Sequence, residues 1–180
     1  MPMDAIHQFF VAGSQYYVAG RFAVFGLLNP VAGNLFHHAI EMYLKGGLSK
    51  TKSLKDLRAF QHNLPAIWNA FKKDQPTDAA LIPFDAVIEG LHGYEELRYP
   101  DAILAKGMQS TFNILRPDAP IAIEGPKEPK YELCLQDIDE LVEVIFVAAS
   151  RNPKAYLSML SNDCVREFLT KDNKAGGLTT

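Results

Sequence analysis

The stretch Leu35-Phe-His-His-Ala-Ile-Glu-Met-Tyr-Leu-Lys45, followed by Gly46-Gly47, constrains this chain more than any other. Phe36, Ala39, Ile40, Tyr43 and Leu44 recur at helical offsets, so a helix here carries one continuous apolar stripe and must bury it. Asn29-Pro30 offers a cap and a first-turn proline, and the glycine pair offers a stop, which predicts a helix over about 30–46. On another side His37, Glu41 and Lys45 follow at steps of four, with the acid N-terminal to the base in the favourable order. A helix so apolar along one side needs partners, and 180 residues of which 48% are hydrophobic supply one domain with a substantial core.

The partners are legible as further helices. From Asp4 as cap, Ile6, Phe9, Phe10, Gly13 and Tyr17 keep a helical period to about Gly20, and the aromatic density there reads as core. Gly13 and Gly20 would let a neighbouring helix approach closely. Ser53 with Asp56 forms a capping-box pattern for a short helix carrying Leu54, Leu57 and Phe60. Asn63 caps the next, with Leu64, Ile67, Trp68 and Phe71 as its stripe. After Pro76-Thr77-Asp78, the residues Leu81, Phe84, Val87, Ile88 and Leu91 predict a helix reaching Tyr94 or Arg98, with Pro83 in its first turns. Pro117, Pro120, Pro126, Pro129 and Gly125 exclude a regular helix and predict a long loop over about 116–130, edged by extended pieces near Thr111 to Leu115 and Tyr131 to Leu135. Asp137 with Glu140 then opens a helix buried through Leu141, Val144, Ile145 and Ala148. Asn152-Pro153 opens the last, which carries Tyr156, Leu157 and Leu160, breaks near Ser161-Asn162, and resumes with Val165 and Phe168. The tail from about 171 to 180 is expected to fray. The expected architecture is a single all-α domain over residues 1–180, an up-and-down bundle of five to seven helices with a proline-rich loop before the last two.

A net charge of −3 gives no global attraction to polyanions. No apolar run approaches the roughly 20 residues that cross a bilayer, and the N-terminal residues lack a secretory pattern, so a cytoplasmic protein without membrane contact is expected. Cys134 and Cys164 are the two cysteines, and both are expected to be buried free thiols.

Three fragments carry a family likeness. The helix reading Ala39-Ile40-Glu41 with Leu44-Lys45, then His62-Asn63-Leu64, then Tyr94 with Leu97-Arg98-Tyr99-Pro100-Asp101, occur in an order that resembles the HEPN domain over about residues 5 to 105. The resemblance implies an all-helical bundle that usually dimerises and is often tied to nucleotides, RNA or toxin-antitoxin systems, sometimes beside a nucleotidyltransferase partner. It also implies a polar cleft shared by Glu41, Lys45, His62, Arg98 and Tyr99, where charge-bearing donors would suit a nucleotide or phosphodiester. Ribonucleases of that family carry an arginine, usually followed by a polar residue, and a histidine separated from it by four to six residues. Arg58 and His62 come nearest, with three residues between them and Ala59 in the polar place.

The expected function is therefore a non-catalytic binding module for RNA, a nucleotide or a partner protein, in the manner of toxin-antitoxin pairs. The alternatives are a metal-independent RNA endonuclease using Arg58 and His62, or Arg98 with a histidine from elsewhere in the chain, where a cation steadies phosphate charge and an imidazole moves the proton, and a structural homodimer without a small ligand. No cofactor is expected. His37, His38 and Glu41 have spacings that could bring two metal ligands to one helix face, but the reading is a polar face and no metal. His62-Asn63 also has a structural reading, with Asn63 as cap and His62 docked on a neighbouring helix. Gly46-Gly47 lacks the surroundings of a phosphate loop.

Overall fold

The structure, a computed structural model, describes residues 4–75, 79–107, 109–116, 130–158 and 162–179. It is mostly helical, with ten α-helical segments among the described residues. Helix α1 (Ala5–Phe25) starts at Asp4, whose side chain accepts from the Ile6 N–H at 3.4 Å. It runs past Gly20 because Arg21, Ala23 and Val24 are still buried against other elements.

Helix α2 (Asn29–Leu48) lies at the centre, with Phe36, Ala39, Ile40, Tyr43 and Leu44 wholly buried. Burying a side chain the size of Phe36, Ile40 or Leu44 contributes roughly 1.5–3 kcal/mol. Gly46-Gly47 does not stop it. A Cβ at Gly46 would stand 2.7 Å from the Phe10 ring and one at Gly47 2.5 Å from the Phe71 ring, so both glycines serve close packing, and the helix continues to Leu48. Gly13 meets Tyr43 and Gly20 meets Phe36 in the same way, which sets α1 antiparallel to α2. Asn29 is the first helical residue rather than the cap, and Leu28 precedes it without a side-chain bond.

Helix α3 (Leu54–Ala59) has the Ser53–Asp56 capping box, and α4 (Leu64–Asp74) is capped by Asn63, which accepts from Ala66 N–H at 3.0 Å. The single helix expected after residue 78 is broken. A 3-10 turn at Ile82–Phe84 holds Pro83, followed by α5 (Asp85–Gly93), a second 3-10 turn at Tyr94–Arg98 and α6 (Pro100–Lys106). The break lets Tyr94 turn inward, where it is buried and its hydroxyl donates to the Tyr131 carbonyl at 2.9 Å. Strand β1 (Gln109–Asn113) pairs in parallel with β2 (Lys130–Cys134), Phe112 opposite Leu133, so a small sheet accompanies the helices where extended pieces were expected. The proline-rich loop between the strands lies outside the described residues apart from its ends.

Helix α7 (Leu135–Ala148) follows β2 directly, beginning two residues before Asp137, and buries Leu141, Val142, Ile145 and Phe146. Phe146 packs on Phe10 and Tyr43 with ring centroids 5.0 Å apart in each case. Then come α8 (Lys154–Leu157), α9 (Asp163–Thr170) and α10 (Gly176–Thr179). The tail does not fray as its composition implied. Ala175 and Leu178 are buried, and the Gly177 N–H donates to Glu143 at 2.6 Å. Cys134 is buried, but Cys164, expected to be buried, is exposed, because α9 turns its Val165–Leu169 side inward instead.

A closed ionic cluster joins these parts. Arg21 pairs with Asp139 on α7, and its Nε donates to the Phe168 carbonyl at 2.7 Å while Nη2 donates to the Lys171 carbonyl. Tyr17 donates to the other Asp139 oxygen at 2.6 Å. Among the described residues no helix is long and apolar enough to cross a membrane.

Candidate functional site

The polar row of α2 is turned into the protein rather than toward water. His37, Glu41 and Lys45 are all buried, Glu41 to 1% exposure, because the corner between α3 and α4 and the end of α5 lie over them. A carboxylate taken out of water needs partners. Glu41 Oε1 accepts from Lys45 Nζ at 2.6 Å, and Oε2 accepts from His62 Nδ1 at 2.9 Å. Lys45 also donates to the Gln61 carbonyl at 2.7 Å. Gln61 adopts a φ of 51°, a left-handed conformation that a side-chain-bearing residue seldom takes, and this turn aims its carbonyl at Lys45 and delivers His62 to Glu41.

Burial would raise the Glu41 carboxyl, but His38, Lys45 and His62 together outweigh it and hold it at about 2. It is a fixed negative charge. His62 must carry its proton on Nδ1, since a carboxylate only accepts, and its ring is half exposed, so Nε2 is the nitrogen free for solvent or ligand.

Two more imidazoles close on the same carboxylate. His38 Nδ1 stands 3.7 Å and His37 Nε2 3.8 Å from Glu41 Oε2. His37 is wholly buried and its Nδ1 lies 3.2 Å from the Leu91 carbonyl, which can only accept, so Nδ1 donates. Burial keeps this imidazole below its ordinary pKa, against the Leu91 bond and the nearby carboxylates. Its Nε2 has no hydrogen-bond partner, nor has Glu95 Oε2, 4.0 Å away.

Glu95 links the cluster to the surface. Its other oxygen accepts from Arg98 Nη2 at 3.0 Å, and the Arg98 guanidinium lies 5.1 Å from the centre of the Tyr99 ring. Tyr99 is 58% exposed. Arg98 also lines a groove of about 270 Å³ whose opposite wall is α2, with Pro30, Val31, Asn34 and His38.

Of the residues singled out from sequence, Glu41, Lys45 and His62 are in direct contact, and Arg98 with Tyr99 adjoins them through Glu95 and His37. Arg58 makes no hydrogen bond or ion pair with them among the described residues and lines a neighbouring groove with Phe9, Met42, Leu54 and the flank of Lys45. Sequence reasoning missed Glu95, although its position three residues before Arg98 was a signal for a pair. It also missed the inward turn of His37. Chemically the cluster offers a carboxylate-oriented imidazole, a rim of cationic and aromatic groups, and unsatisfied acceptors behind them. No known protein family matches the chain, and no curated protein or solved structure matches it significantly.

Proposed function

We propose that the chain is a HEPN-like, non-catalytic module that binds a nucleotide, free or within RNA, on the face carrying His38, His62, Arg98 and Tyr99. The observation that carries this reading is the layering of charge. The carboxylates of Glu41 and Glu95 are turned inward onto Lys45, His62 and Arg98, while Arg98, Tyr99 and His62 reach the surface, 36%, 58% and 50% exposed. An exposed ring beside a guanidinium, at the mouth of an apolar-walled groove, supplies base stacking and phosphate pairing together. A modest net charge fits a local contact better than an extended polyanion track.

Fluorescence polarisation with a labelled single-stranded RNA, and thermal shift with a panel of nucleotides, tests the reading in a chelating buffer. Binding should weaken as salt rises, and Arg98→Ala and Tyr99→Ala should each reduce affinity by about tenfold, the effect of losing a stacking or charge-assisted contact of 1–3 kcal/mol. Absence of binding to every nucleotide and RNA, or binding indifferent to both variants, would end it.

A second reading is favoured by the Glu41–His62 contact, since a carboxylate that fixes an imidazole's tautomer is also how a general base is oriented. In that reading His62 moves the proton in a metal-independent cleavage of RNA and Arg58 steadies the phosphate. Cleavage in chelator that His62→Ala abolishes with the helical fold retained would establish it, and intact RNA after long incubation would remove it. A homodimer and a nucleotidyltransferase-like partner remain part of the proposal through the resemblance alone.

A further inference from the structure

Glu41 Oε2 is approached by imidazole nitrogens from two elements, His38 on α2 and His62 at the α3–α4 corner, at 3.7 and 2.9 Å. The ligand-type atoms of His38, Glu41 and His62 all lie within 4.8 Å of one another. From this convergence we infer a binding site for a divalent transition-metal ion of the zinc class, held by His38 Nδ1, Glu41 Oε2 and His62 Nδ1. Zinc with nitrogen at about 2.0–2.1 Å and carboxylate oxygen at about 2.0–2.2 Å in tetrahedral array keeps neighbouring donors about 3.3 Å apart. The two separations from Oε2 straddle that value, and the two imidazole nitrogens, within 4.8 Å of each other, need only rotate toward the ion to complete the ligand set. Lys45 occupies Oε1, which leaves Oε2 as a single-oxygen ligand. On binding, the His62 proton moves to Nε2, and the half-exposed ring leaves a path for entry.

A separate observation points to the fourth position. His37 Nε2 and Glu95 Oε2 are buried, unpartnered and 4.0 Å apart, and with Nδ1 of His37 committed to Leu91 both are acceptors. His37 Nε2 also faces Glu41 Oε2 at 3.8 Å, a third acceptor, whose hydrogen comes from His62. Buried acceptors of this kind need a donor. A metal-bound water supplies it, its oxygen on the ion and its hydrogens directed to His37 and Glu95. A three-ligand site closed by water is the open arrangement of zinc rather than a sealed structural one.

The test is a zinc titration of tag-free protein by calorimetry, with cobalt substitution read from its visible spectrum. One ion per chain should bind, with the absorption of a four-coordinate nitrogen and oxygen site. His38→Ala and His62→Ala should each weaken binding at least tenfold while keeping the parent's helical circular-dichroism spectrum and a cooperative melt, and His7→Ala, away from the site, should leave it unchanged. No saturable zinc binding, or equal binding by the His38→Ala/His62→Ala double variant, overturns the inference. Because nucleotide binding is measured in chelator, the two proposals fail separately.

Discussion

Two ionic clusters are buried in this molecule, and they are built differently. Around Arg21 and Asp139 everything closes: the guanidinium is committed through Nε, Nη1 and Nη2, both Asp139 oxygens accept, and both side chains are at most 1% exposed. Around Glu41 the carboxylate is equally well held, yet bare acceptors stand beside it and His62 opens it to water. The closed cluster fastens α1 to α7, to the end of α9 and to the residue after it, so its work is holding distant parts of the chain. The open one has hydrogen-bonding capacity left over, and each such buried group calls for a partner.

The largest effect should come from the closed cluster. Arg21→Met leaves the Asp139 charge buried without a cation and should cost about 3–5 kcal/mol, read by urea denaturation, with a large part recovered in Arg21→Met/Asp139→Leu. A loss below about 1 kcal/mol would show that the cluster is not closed in solution. Glu41→Gln should cost less, about 1–3 kcal/mol, because Lys45 and His62 can turn toward water once the charge is gone. A penalty equal to that of Arg21→Met would erase the distinction between the two.

Acid sharpens the contrast. The Glu41 carboxyl titrates at about 2 in the folded chain against 4.5 ordinarily, so its stabilisation is present above about 4.5 and is lost as the pH falls toward 2. The acid limb of the stability curve should therefore be shallower in Glu41→Gln, and unchanged slope would place the carboxylate in a wetter setting. Smallest of all, Arg98→Ala should shift stability by no more than about 0.5 kcal/mol, since its pair with Glu95 is partly exposed. A larger shift would make Arg98 a structural residue rather than a free rim.

Much of the helical layout was legible because its signals are local. The stripe of Phe36, Ala39, Ile40, Tyr43 and Leu44 specifies a buried helix by spacing alone, and Ser53, Asp56 and Asn63 cap where their hydroxyl, carboxyl and amide groups indicate. The misread points are those where another element intervenes. Gly46-Gly47 resembles a stop until Phe10 and Phe71 fill the space, and the tail resembles a loose end until Ala175 and Leu178 find cover. In the site, the steps of four from His37 to Lys45 placed three side chains in one row, but not under the 61–62 corner.

By itself, then, the sequence determined the longer helices, α1, α2, α4 and α7, and which side of α2 is apolar, because period and capping act within a few residues. Tertiary structure alone decided that Glu41 is buried, that His62 and Glu95 converge on its surroundings, and that Arg21 meets Asp139 118 positions away. A charged side chain's spacing fixes the face it occupies, whereas its burial depends on chain folded over that face from far along the sequence, and no local preference encodes that.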